Sequence, residues 1–78
     1  MKPRLPSMKP AEVIPVLERN GFRLLRSTKH RTYTDDARPP HLVRVPYHQR
    51  DLKRKTLRSI IRQAGWTDDE FLQKMRPD

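Results

Sequence analysis

Apolar and polar positions change their period several times along this chain, and each change marks an element. Over residues 9–20, Val13, Ile14 and Leu17 fall at helical spacing. Pro10 suits a first helical position and Glu12 the positive end of the helix dipole. Asn20-Gly21 is a stop, because glycine accepts the left-handed conformation that follows a helix. Pro15 opposes a regular helix, so a kink or a late start is expected there. The period then shortens to two. Residues 22–26 (FRLLR) and 30–34 (HRTYT) predict two short strands joined by a turn-length STK. A loop with two acids and two prolines fills 35–40, and 41–46 (HLVRVP) predicts a third strand. In it Val43 and Val45 share one face, with Leu42 and Arg44 on the other.

After a polar connection, Leu57, Ile60, Ile61 and Ala64 form one apolar stripe over a helix at 54–64 that Gly65 ends. Arg54, Arg58 and Arg62 recur every four residues away from that stripe. Thr67 and Glu70 then make a capping box, flanked by Trp66 and Phe71 as a hydrophobic staple, so a short last helix is expected. The order is α-β-β-β-α with a short extra C-terminal helix, an α+β protein. Three consecutive short strands predict an antiparallel meander with helices on one face and the other face free. Residues 1–8, with two prolines and no periodicity, read as a flexible lead-in, and 9–76 as a single domain.

Length and charge sharpen this picture. The 78 residues suffice for one compact domain with one small core. The formal net charge is +9, with sixteen of the eighteen Lys/Arg and only five of the nine acids lying in residues 1–66. A cationic field of this kind draws polyanions, because neutralising phosphates releases condensed counterions. Nucleic acid or an acidic partner is favoured over a membrane surface, since the cations do not follow one face of a long amphipathic helix. No apolar run reaches the roughly 20 residues that span a bilayer. There are no cysteines, and no signal peptide is expected, so a cytoplasmic home is favoured. No cysteine set, H-E-x-x-H motif or histidine pair at ligand spacing suggests a metal, and no cofactor is expected.

Four stretches carry a family resemblance. Asn20-Gly21-Phe22, RSTKHRTY at 26–33, RVPYH at 44–48 and DLKRKTLRSIIRQAGWTDDEFL at 51–72 together resemble the HicA family of toxins. The last is the most specific, because it keeps one spacing pattern over some twenty residues. The resemblance implies a fold like the double-stranded-RNA-binding domain. It also implies an mRNA interferase, a toxin that cleaves mRNA and blocks translation, and a HicB-type antitoxin that covers its active site. The toxin is expected to be a monomer when free and part of a hetero-oligomer with the antitoxin. The family's functional histidine maps onto His30. Two departures stand out: Thr28-Lys29 replaces the family's Gly-Ser before that histidine, and Arg54-Lys55 replaces its Pro-Gly before the Thr-Leu pair. A lost glycine removes a residue that adopts left-handed backbone freely.

RNA cleavage of this kind requires that a 2′-hydroxyl lose a proton, that a 5′-oxygen gain one, and that the crowded phosphate be stabilised. Histidine suits the proton work, because its ordinary pKa of roughly 6.5 lies near working pH. His30 is the candidate general acid/base. Its neighbours on the same strand face, Thr32 and Thr34, are polar, which fits an exposed reactive face. Lys29 and Arg31 flank it and are candidate RNA contacts. His48 fits the family's second histidine, as a further proton carrier or phosphate contact. Lys53, Arg54, Lys55 and Arg58 open the second long helix, where phosphates are readily met. The plain alternative for that run is a solvated helix face. Tyr33 and Tyr47 are candidates to stack on bases, packing being the more common fate for Tyr33, while Phe22, Trp66 and Phe71 are assigned to the core. A rival reading keeps the fold and charge but makes the chain a non-catalytic binder of double-stranded RNA.

Overall fold

A computed structural model describes residues 5–76. Its elements follow the expected order: α1 (Pro10–Arg19), β1 (Arg23–Ser27), β2 (His30–Thr34), β3 (Leu42–Pro46), α2 (Arg54–Gln63) and α3 (Asp68–Met75). The fold is thus α+β in the α-β-β-β-α layout of a double-stranded-RNA-binding domain, with an added C-terminal helix. The strands form one antiparallel sheet in the order β1-β2-β3, with β2 in the middle.

Strand parity sorts the two faces. Tyr33, Val43 and Val45 point to the helices and are 1%, 0% and 0% exposed. With Val13, Leu17, Leu57, Ile60, Ile61 and Phe71, each at most 2% exposed, they form a single core. The opposite face carries His30, Thr32, Thr34, Leu42 and Arg44, and none of the described helices covers it. α1 begins at Pro10 and continues past Pro15 to Arg19, so the helix does not start late. The proline is exposed, and so is Ala11, whose carbonyl loses its helical partner and can turn to water instead.

One expectation needs correction. Half of the flexible lead-in, residues 1–4, lies outside the described residues. The other half is docked: Leu5 and Met8 are buried in the core, and the Met8 carbonyl accepts from the Leu52 amide at 2.7 Å. Apolar side chains at 5 and 8 gain enough burial to order a segment that lacks periodicity. β1 departs from regular alternation: Phe22 is buried but Leu24 and Leu25 are 46% and 43% exposed. The strand contains a bulge: Leu24 pairs with Tyr33 and Arg26 with Thr32, so Leu25 is an extra residue.

The helix ends and turns follow local chemistry. The Glu12 carboxylate accepts from the Lys9 amide at 2.8 Å at the start of α1. Thr67 and Glu70 exchange side chain–backbone bonds of 3.1 and 2.8 Å at the start of α3. Trp66 bridges Phe22 (5.6 Å, edge-on) and Phe71 (6.4 Å) and so joins α3 to the body. α2 ends at Gln63, and Gly65 just beyond it takes a φ of +81°. The β1–β2 hairpin closes with the Thr28 amide donating to the His30 carbonyl at 3.1 Å. Neither Thr28-Lys29 nor Arg54-Lys55 has a positive φ, so replacing glycine costs no backbone strain at either place.

Candidate functional site

One end of the sheet gathers most of the residues singled out from sequence. β2 begins there at His30, β3 ends there at Pro46, directly opposite, and α1 and α2 both begin there. His30 sits right after the hairpin tip, exposed, on the helix-free face. It lines a cleft of about 360 Å³ together with Arg26, Thr28, Lys29, Thr32 and Arg44. Thr32 forms the floor and is only 5% exposed, although no helix lies over it. Arg26, Thr32 and Arg44 are cross-strand partners in one row, so the two arginine side chains wall the central strand from either side.

The row depends on the bulge. Residues two apart on a regular strand share a face, which would put Arg26 with Leu24 on the helix side. The extra residue Leu25 reverses the parity and delivers Arg26 to the helix-free face beside Thr32. Arg23 fixes the other side of the bulge. It pairs with Thr34 and grips Asp36 with two bonds, of 2.7 and 2.9 Å. Hydrogen bonding to Arg23 holds the Asp36 carboxyl below the usual carboxylate range.

The predicted RNA contacts do not all share the His30 cleft. Lys29 shares the His30 cleft. Arg31 does not: strand alternation turns it to the other face, where its guanidinium lies 3.8 Å from the centroid of the Tyr47 ring. His48 lines neighbouring clefts. One, of about 400 Å³, lies at the start of α2 and also holds Arg50, Lys53 and Thr56. The other, of about 420 Å³, also holds Lys9 and Tyr47. The Nδ1 of His48 accepts from the Arg50 amide at 3.1 Å. Lys53, Arg54 and Lys55 are exposed around the first turn of α2, which has no acidic residue and no side-chain cap. Its free amides and three cations make an anion-attracting helix start. Arg58 is drawn to Asp68, with Nε 3.7 Å from Oδ2.

Arg26 and Arg44 escaped the sequence reading as site residues. Arg44 carried a usable sign: it alternates with the buried Val43 and Val45, so it must project from the free face. Arg26 carried none, since its parity is set by the bulge. His41 lies at the far end of the sheet. Its Nδ1 is 2.6 Å from Asp35 Oδ2, and its ring rests against Gly65. Among the described residues, no three of His, Asp or Glu converge so as to hold a metal ion. No described helix is long and apolar enough to cross a membrane.

No curated protein matches this chain. A sequence family described as HicA toxin of bacterial toxin-antitoxin matches residues 10–66, from the first residue of α1 to the tryptophan that follows α2. The matched stretch covers well over half of the chain and includes the sheet, the hairpin that presents His30 and the cationic start of α2. The chain therefore belongs to the HicA family, the toxins of bacterial toxin–antitoxin systems.

Proposed function

We propose that this toxin is a metal-independent endoribonuclease that cleaves mRNA and blocks translation, with His30 as its proton-transfer group. The observation that carries the reading is the cleft itself. An exposed histidine stands at the rim of a polar pocket whose charged side chains, Arg26, Lys29 and Arg44, are all cationic. The only ion pairs among the described residues involve Asp35, Asp36 and Asp68, none of which lines this cleft. Such a pocket attracts a phosphodiester and sets a proton acceptor beside it.

The chemistry balances with no further reagent. His30 takes the proton of a ribose 2′-hydroxyl, and the 2′-oxygen attacks the adjacent phosphorus. The bond from phosphorus to the 5′-oxygen breaks, and that oxygen takes a proton from the imidazolium or from water. The products are a 2′,3′-cyclic phosphate and a 5′-hydroxyl. The remaining cations hold the flanking backbone: Lys53, Arg54 and Lys55 at the start of α2, His48 in the adjoining cleft, and Arg31 and Tyr47 as a stacked plate beside it. In the cytoplasm, a HicB-type antitoxin bearing acidic groups would silence the enzyme by covering the same cationic end.

The test is incubation of the purified toxin with end-labelled mRNA in EDTA, beside His30→Ala. Cleavage by the wild type alone, yielding cyclic phosphate ends, is the expected result. Ends bearing a 5′-phosphate, or a requirement for magnesium, would reject the mechanism. A retarded band without cleavage in both proteins would favour a non-catalytic RNA binder.

A further inference from the structure

We infer that Arg26 and Arg44 form a two-pronged clamp that seats the scissile phosphate over Thr32, next to His30. The inference rests on the nuclease reading and adds to it the groups that carry the phosphate's charge. Three observations meet at this spot. Arg26, Thr32 and Arg44 stand in one row across the three strands. Neighbouring strands lie about 4.8 Å apart, so the two arginine backbones flank Thr32 at a separation of about 10 Å. Two long side chains rooted at that distance reach the same small anion from opposite sides. Arg26 faces this way only because of the Leu25 bulge, a device often found where a side chain must be re-aimed beside a site. Neither guanidinium has an acidic partner among the described residues, whereas Arg23, on the same sheet face, is held by Asp36.

Two unpaired guanidinium groups over one nearly buried threonine repel each other unless an anion lies between them. A phosphodiester supplies that anion, and guanidinium suits it through paired N–H···O bonds. The match improves as reaction proceeds. Attack by the 2′-oxygen gathers extra negative charge on the non-bridging oxygens, so a fixed cationic clamp stabilises the transition state more than the bound RNA. The Thr32 hydroxyl on the floor is placed to donate to one of those oxygens. Lys29, at the hairpin tip, reaches the flanking phosphate. The plain alternative is that the arginine stems merely cover the sheet and the heads are solvated.

The experiment compares Arg26→Ala, Arg44→Ala and Arg44→Lys with Arg76→Ala, which removes one charge from an exposed site beyond α3. Each is assayed for single-turnover cleavage at saturating protein. Each is also assayed for salt-dependent binding of the same RNA with 2′-deoxy substitution throughout, which cannot be cut by this route. Removing one preorganised donor to a developing anion slows chemistry by roughly 10²- to 10³-fold, and that is the expected loss for either alanine variant. Arg44→Lys recovers part of it, because the charge stays and the fork is lost. Each alanine variant also lowers the log–log salt slope of binding by about 1, the signature of one lost phosphate contact. Arg76→Ala moves neither quantity. A cleavage rate matching wild type, or an unchanged salt slope, overturns the clamp. If the wild type cuts no RNA, the nuclease reading falls separately. The salt slopes then judge the clamp alone: a loss confined to the Arg26 and Arg44 variants keeps it as a phosphate site, and equal slopes remove it.

Discussion

Gly65 is under two constraints at once. Its φ of +81° belongs to the left-handed region, which costs roughly 1–2 kcal/mol for a residue with a Cβ. An added Cβ would also stand 2.7 Å from His41 Nε2. That ring is not free to swing away, because Asp35 holds its Nδ1 at 2.6 Å. Gly65→Ala should therefore lower unfolding free energy by more than the conformational part alone. In a His41→Ala background the loss should shrink to about 1–2 kcal/mol, which urea unfolding of the four proteins will measure. Equal losses in both backgrounds would show that the ring contact contributes nothing. Asp35 makes a second test possible at the same corner. The backbone N–H of His41, the His41 side chain and the Ala37 N–H all favour its ionised form, and its pKa is lowered to about 2. A carboxylate depressed on folding adds stability that is complete above its unfolded pKa of about 3.9 and is lost as pH falls through the folded value. Asp35→Asn should melt below wild type at pH 6, and the gap should close between about pH 4 and 2. A gap that stays constant over that window would show that the ionised carboxylate is not the stabilising feature.

Among the elements, α3 tests where the domain ends. The family match stops at Trp66, yet Phe71 is 0% exposed and Trp66 packs on both Phe22 and Phe71. Arg19 also donates to the carbonyls of Lys74 and Met75, at 3.3 and 3.4 Å, closing the end of α3 onto the end of α1. Phe71→Ala should cost roughly 3–5 kcal/mol, a large share of the 5–15 kcal/mol that holds an ordinary domain together. Loss of the cooperative thermal transition, or a steep fall in Tm, is the expected result, and a Tm within a degree or two of wild type would make α3 an appendage. This helix was legible in advance because its capping box and staple are local signals. So were α2 and β3, where an apolar stripe or a strict alternation meets a clear stop. β1 was legible as a strand but not as a surface: nothing in FRLLR announces that Leu25 will bulge, because the register is set by Tyr33 and Thr32 on the partner strand. The candidate site shares that divide. His30 could be read from its motif, and Arg44 from parity. Arg26 depends on pairing with residues remote in sequence, and the turning away of Arg31 follows from which face the helices cover.

At the scale of the whole molecule, charge is sorted along the sheet. The end that presents His30 also holds Lys29, Arg31, His48, Arg50 and the cationic first turn of α2, and Asp51 is the one acid in its loops. The ion-paired acids Asp35 and Asp36 lie in the β2–β3 loop at the opposite end. The cations clustered at the His30 end raise the positive potential around the cleft, which favours the approach of a polyanion there. Binding of a 2′-deoxy oligonucleotide should accordingly weaken steeply with salt, because each neutralised phosphate releases counterions; single strands lose about 0.7 in log–log slope per contact. Under the function proposed above, Lys53 and Lys55 stand where RNA would cross the start of α2, outside the His30 cleft. Replacing both with alanine should lower the slope by about 1–2 and weaken binding almost equally for all sequences. If the chain is the nuclease proposed above, the double variant should still cleave near the wild-type rate at saturating protein, since neither lysine lines the His30 cleft. A variant that binds normally but cleaves slowly would move the start of α2 from the approach path into the reaction itself.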